Sequence, residues 1–186
     1  MSIRLRRLMS DYDKIRNEFA GHKYIKFIPM GGNPPERYRI VYNVTGLVWD
    51  DRQNCPVELQ RHEVEIYLPN EYPRGKPLFV IHTPIFHPNF SANRVPNQIC
   101  VGDHWAASSS LADQIVKVGE MLQYRDYNVK SPLNAMAARW ALENEKYLPV
   151  GKIDLFQAEP EVELSDMTAE PEKKAEAEDD LDIALF

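Results

Sequence analysis

Cys100 is the residue of this chain whose type and setting could do chemistry. It follows the tripeptide His87-Pro88-Asn89 by eleven positions, in a stretch punctuated by Pro84, Pro88 and Pro96 and by Asn89, Asn93 and Asn97. A thiolate is both a nucleophile and a good leaving group, so a cysteine in an accessible loop can accept an acyl group and pass it on. The stretch from Thr83 to Ser110 is long for a connection inside a compact domain, and such loops tend to carry function. Other readings use the same residues. Cys100 with His104, four positions on, would make a thiol-hydrolase pair, but no third orienting residue stands in a recognisable context. Cys100, His87 and His104 would make a metal set without a fourth ligand at zinc spacing. Cys100 as an inert buried thiol is the plainest alternative. Cys55 has no motif around it and reads as an incidental loop thiol. His22, His62 and His82 read as surface or strand residues.

The elements that must position Cys100 follow from periodicity. Residues 3–19 place Ile3, Leu5, Leu8, Met9, Tyr12, Ile15 and Phe19 mostly three or four apart, which predicts an amphipathic helix with a basic outer face (Arg4, Arg6, Arg7). Gly21 is placed to cap it in the left-handed conformation. Four strands are expected at Tyr24–Pro29, Arg37–Val44, Glu58–Leu68 and Leu78–His82, with a loop around Asp50–Pro56. Nothing calls for parallel crossovers, so the expected class is α+β with an antiparallel meander. Leu111–Leu122 reads as a helix with Ser110 as N-cap and Asp113 in its first turn. Asn134–Tyr147 reads as another, with Met136, Trp140 and Leu142 facing inward.

Composition sets the outer limits. The chain has 186 residues, 44% of them apolar, which is enough for one domain with a real core. Residues 1–150 are expected to form that domain, and 157–186 an acidic, disordered tail. The closing Leu181-Asp-Ile-Ala-Leu-Phe186 reads either as a frayed end or as a short docking motif. The net charge of −6 argues against nucleic-acid binding. No apolar run approaches the roughly 20 residues that span a bilayer, and the N-terminus lacks a signal-peptide core. With only two cysteines, the expected location is the cytoplasm.

Five motifs then stand in order. They are Glu71-Tyr72-Pro73 with further prolines, His87-Pro88-Asn89, Ile99-Cys100, Trp105 and Ser131-Pro132-Leu133-Asn134. Over roughly residues 3–148 the chain resembles the ubiquitin-conjugating enzyme family. The resemblance implies the UBC fold, with Cys100 carrying a ubiquitin-like protein as a thioester and a lysine of a target protein receiving it. It assigns Asn89 to the oxyanion or to bracing of the active-site loop, and His87 and Pro88 to structural support. Ser131 falls where the family often has a small or acidic gate residue, with Asp126, Tyr127 and Asn128 nearby and unranked. It implies no cofactor on this chain, because ATP is used by the activating enzyme. It casts Arg4, Arg6 and Arg7 as that enzyme's docking face, although a solvated helix face accounts for their charge equally well.

The departures are specific. Arg74 and Gly75 replace the aromatic of the family's usual Tyr-Pro-Phe, and Trp105 is followed by Ala106-Ala107-Ser108 without proline. The Asn89–Cys100 segment is longer than usual, and the Cys100–Trp105 segment shorter. These features resemble divergent members found in bacterial ubiquitin-like conjugation operons associated with antiphage defence, and imply transfer without a RING ligase. A non-catalytic variant that only binds a ubiquitin-like protein is the competing class. Such variants typically lack the cysteine that this chain retains.

Overall fold

Leu8, Asp11, Ile15 and Phe19 form one buried stripe, so residues Ile3–Phe19 fold as helix α1. The computed structural model describes residues 2–91, 97–102 and 105–156. Ser2 caps α1, its hydroxyl accepting from the Leu5 N–H at 3.1 Å. The stripe is narrower than the apolar spacing suggested, since Ile3, Leu5 and Met9 are exposed. Gly21 does not adopt a positive φ. Instead the buried His22 turns the chain, its Nδ1 accepting from the Tyr24 and Ile25 N–H groups at 3.2 and 2.9 Å.

The strands are β1 (Ile25–Met30), β2 (Arg37–Tyr42), β3 (Gly46–Asp50), β4 (Cys55–Leu59), β5 (His62–Tyr67), β6 (Leu78–Ile81) and β7 (Asn97–Gln98). A five-stranded sheet has the order β1-β2-β5-β6-β7, and its described pairs are antiparallel. The α+β UBC-like architecture is therefore present, with two additions to the expected meander. First, the region read as a loop is the turn of a β3–β4 hairpin, closed where Asp50 pairs with Cys55. Asp50 Oδ1 accepts from the Arg52 and Gln53 N–H groups, and Asn54 takes a positive φ of 52°. This turn chemistry is local and hid a pairing whose strands lack clean alternation. The single strand expected at Glu58–Leu68 is consequently split between β4 and β5. Second, β7 adds a two-residue rung beside β6 just before Cys100.

The sheet packs on α2 (Leu111–Leu122), capped as expected by Ser110, and on α1. The Tyr42 hydroxyl donates to the Ile115 carbonyl at 2.9 Å across this interface. Residues 151–155 strap over α2. Gln123 exchanges two hydrogen bonds with the Ile153 backbone, and Glu120 accepts from the Leu155 N–H at 3.0 Å. Leu155 is buried in the core.

Helix α3 (Ala135–Glu143) starts after its N-cap Asn134 and is followed by a 3₁₀ turn at Glu145–Tyr147. Its inward face is Ala137, Ala138 and Ala141, while Met136 and Leu142 are 44% and 63% exposed. That corrects the expected inward set. The space is taken by Phe86, Tyr124 and the half-buried Trp140, so only alanines fit beneath the helix.

Gly119 marks the tightest packing. A β-carbon there would lie 2.3 Å from Leu155 Cδ1 and 3.1 Å from the Tyr42 ring. Overpacking of this kind costs about 1–3 kcal/mol, more than the ~1 kcal/mol gained by removing a helical glycine. Gly119→Ala is expected to lower stability in urea unfolding. Adding Leu155→Ala is expected to make the pair less destabilising than the sum of the two single changes.

Candidate active site

The site is built on one sharp turn. His87 is fully buried, and its Nδ1 accepts from the Asn89 N–H at 3.1 Å. Its ring packs edge-on against Phe90 and at a tilt against Tyr124, with centroids 5.0 and 4.5 Å away. Burial drives this imidazole down to about 3, with the Asp126 carbonyl pulling weakly the other way from a position that leaves Nε2 without a well-formed hydrogen bond. His87 is thus a neutral structural acceptor. The Tyr124 hydroxyl, donating to the Phe86 carbonyl at 2.6 Å, secures the turn from behind.

Three chain segments converge on this turn. The Pro88 carbonyl accepts from the Leu133 and Asn134 N–H groups at 2.8 and 3.1 Å, which docks the start of α3. The Asn89 carbonyl accepts from the Cys100 N–H at 3.0 Å. The Asn89 side chain then spans the gap. Its Nδ2 donates to the Cys100 carbonyl at 3.3 Å, and its Oδ1 accepts from the Asn128 N–H at 2.8 Å. Cys100 itself is a free thiol, half-buried, on the rim of a cleft of about 140 Å³. Leu78, Phe79, Val80, Gln98, Ile99 and Trp105 contribute to its walls.

Asn128 is the residue that sequence reasoning left unranked and the structure singles out. Its own side chain accepts from the Lys130 N–H at 2.8 Å and the Ser131 N–H at 3.4 Å, an Asx turn that shapes the segment before Pro132. The signal was an Asn two residues before a polar step into proline. Ser131 lies exposed on this turn.

The basic residues of α1 divide. Arg4 is 2.7 Å from Glu36 and also reaches the Leu68 and Pro69 carbonyls. Arg7 pairs with the buried Asp11 at 2.7 Å, donates to the Ala107 and Ser109 carbonyls and lies over the Tyr72 ring. Of the three, Arg6 is the exposed one. Trp105 joins the two altered loops, its indole N–H donating to the Pro73 carbonyl at 2.8 Å.

Cys55 opens β4 in the separate hairpin. His62 opens strand β5 and is fully buried, with Nε2 3.1 Å from the Leu59 carbonyl. His82 is 3.3 Å from Glu65. His104, the hydrolase candidate, lies outside the described residues, as do Asn93, Pro96 and the 157–186 tail. Among the described residues, no three His, Cys, Asp or Glu side chains form a metal-binding group. No described helix is long and apolar enough to cross a membrane.

Helix, antiparallel sheet, buried His-Pro-Asn turn and adjoining cysteine define a ubiquitin-conjugating type of fold. Residues 41–149 match the family model for ubiquitin-conjugating enzymes, more than half of the chain, and the protein belongs to that family. A candidate ubiquitin conjugating enzyme from Plasmodium yoelii is similar in structure, with a TM-score of 0.55 and 20% identity, over 78% of this chain and 88% of that one. The conjugating domain of a Toxoplasma gondii ubiquitin conjugating enzyme is similar with a TM-score of 0.50 and 20% identity, over 77% and 87%. At this identity the likeness concerns the fold. Comparison with curated proteins gives no match.

The buried imidazoles make stability depend on pH. Burial holds His62 down to about 4 and His87 down to about 3. Below an ordinary histidine value the unfolded chain binds protons that the folded chain refuses, so stability falls as pH falls. Urea unfolding is expected to show a loss on the order of 2 kcal/mol per imidazole between about pH 7 and pH 5. His62→Gln is expected to remove its own share, about 2 kcal/mol, of that loss.

Proposed function

We propose that Cys100 accepts a ubiquitin-like protein from its activating enzyme as a thioester and passes it to a lysine amine of a protein substrate. The observation that carries this reading is the Asn89 side chain, which bridges the Cys100 carbonyl and the Asn128 N–H and so brings an amide donor to the backbone of the cysteine. In loading, the Cys100 thiolate attacks the incoming thioester carbonyl and expels the activating enzyme's thiolate. In discharge, the amine attacks and Cys100 leaves. Both steps pass through an oxyanion. An amide nitrogen carries two hydrogens, so Asn89 Nδ2 can brace Cys100 with one and meet the oxyanion with the other.

Ser131 offers no carboxylate to the acceptor amine. Exposed Asp126, on the same segment, is a carboxylate that could orient it. ATP is spent by the activating enzyme, and this chain needs no cofactor of its own. Arg6 is the member of the basic trio best placed to meet an acidic partner, since Arg4 and Arg7 are engaged within the chain. The altered ligase loops favour transfer without a RING ligase, and with it a cytoplasmic role in bacterial antiphage conjugation. The binding-only alternative has no use for a thiol on an open cleft.

With the cognate activating enzyme, ubiquitin-like protein and ATP, the chain is expected to form an adduct lost to thiol reductant. Cys100→Ser should give an adduct that resists reductant, and Cys100→Ala none. A reductant-sensitive adduct on Cys100→Ala would move the carrier to Cys55. Asn89→Ala is expected to slow discharge to lysine on the order of a hundredfold, and loading far less, in single-turnover assays. Equal losses in both steps would make Asn89 a brace only.

A further inference from the structure

We propose that Arg7, on helix α1, is a positioning residue for Cys100, acting through Trp105. The proposal rests on the reading of Cys100 as a thioester carrier.

The Asn89 amide anchors Cys100 from the upstream side. Downstream, Trp105 lines the same cleft as Cys100. The indole N–H donates to the Pro73 carbonyl at 2.8 Å, and the ring lies tilted against Tyr72 with centroids 5.8 Å apart. The residues after Trp105 close a turn. The Ser109 N–H donates to the Ala106 carbonyl at 2.8 Å, and the Ser109 hydroxyl accepts from the Ala106 N–H at 3.1 Å.

Arg7 grips this turn and the Tyr72 ring at once. One terminal nitrogen donates to the Ala107 carbonyl and the other to the Ser109 carbonyl. Its Nε donates to Asp11 at 2.7 Å, and its guanidinium carbon stands 5.4 Å from the centroid of the Tyr72 ring. Asp11 also accepts from the Tyr72 hydroxyl. The contacts therefore close a ring: Arg7, Asp11, Tyr72, Trp105 and the turn that returns to Arg7. The Arg7 and Asp11 side chains are 17% and 2% exposed, so the pair faces inward.

The residue type matters. A guanidinium is a planar fork with five N–H donors, enough for one carboxylate and two carbonyls together. A lysine at this position could pair with Asp11 at the i,i+4 spacing, but its single nitrogen could not hold both carbonyls as well. Arg7→Lys thus keeps the buried carboxylate paired and releases the turn.

Positioning is read by comparing two reactions of one thiol. Acylation passes through an oxyanion, and an ångström of misplacement can cost on the order of a hundredfold. In it the Cys100 thiolate attacks a thioester carbonyl, a C–S bond forms and the departing thiolate carries off the electron pair. Alkylation by iodoacetamide forms a C–S bond and expels iodide with no oxyanion, so it reports access and thiolate fraction. The ratio of the two rates isolates placement.

The test uses the full chain with Cys55→Ser, the acetyl-Gly-Gly thioester of mercaptoethanesulfonate as acyl probe, and intact mass spectrometry. The same chain in concentrated urea supplies the ratio of an unpositioned thiol. The folded chain is expected to exceed that ratio by more than about tenfold, and Arg7→Lys to lower it by about tenfold. Trp105→Phe, which removes the indole N–H, is expected to lower it similarly, and the double variant no further. Gly119→Ala, which disturbs packing away from the loop, is expected to leave the ratio unchanged. An unchanged ratio in Arg7→Lys overturns the proposal. So do losses that multiply in the double variant, or a Gly119→Ala chain that loses as much as Arg7→Lys. A folded ratio no higher than that in urea overturns it and counts against the thioester reading as well.

Discussion

One side-chain amide holds three distant pieces of chain in register. Asn89 ties Cys100 to Asn128, while the backbone of Pro88 and Asn89 receives the start of α3 and the Cys100 N–H. A thiol on a loop is in principle mobile, because loops carry few packing contacts. Here the loop borrows rigidity from hydrogen bonds to a turn that is itself buried. That turn depends on a neutral His87. A protonated imidazole could not accept from the Asn89 N–H, and its charge would be stranded among Phe90 and Tyr124.

The support continues outward in a definite order. Phe86 belongs to a small aromatic cluster with Leu47, Tyr124 and the alanines of α3. The β3–β4 hairpin supplies Leu47 and Trp49 to that cluster, so an element far from the chemistry helps seat the turn that holds it. On the other side, Trp105 and Arg7 bind together the loops whose sequences depart from the family pattern. These loops, which lack the aromatic and the proline of the family pattern, are tied to the rest of the chain by these bonds. A surface that bonds to itself has fewer groups left to offer a partner.

Charge illustrates how far a sequence count can mislead. Three arginines in seven residues read as a docking face, yet Arg4 and Arg7 each satisfy a carboxylate and backbone carbonyls of their own chain. Asp11 meets Arg7 at an i,i+4 spacing within α1, but its hydrogen bond from Tyr72, 61 residues away, could not have been paired from sequence spacing.

Residue order alone determined the elements whose signals are local. Apolar spacing marked α1 and α2 to their ends, Ser110 announced its cap, and β1, β2, β5 and β6 followed from β-branched and aromatic runs. The His-Pro-Asn turn and the cysteine were legible because their residue types are dictated by chemistry and backbone geometry. What the sequence could not decide were features set by pairing at a distance. The β3–β4 hairpin was masked by its turn residues, and the face of α3 was settled by the aromatic cluster beneath it. The choice of Asn128 among its neighbours, the engagement of Arg4 and Arg7, and the burial of His22 and His62 were likewise tertiary outcomes. Each depends on which surfaces meet, and periodicity along a chain carries no information about the partner across the gap. Only the folded arrangement brings residues 89, 100 and 128 into one neighbourhood.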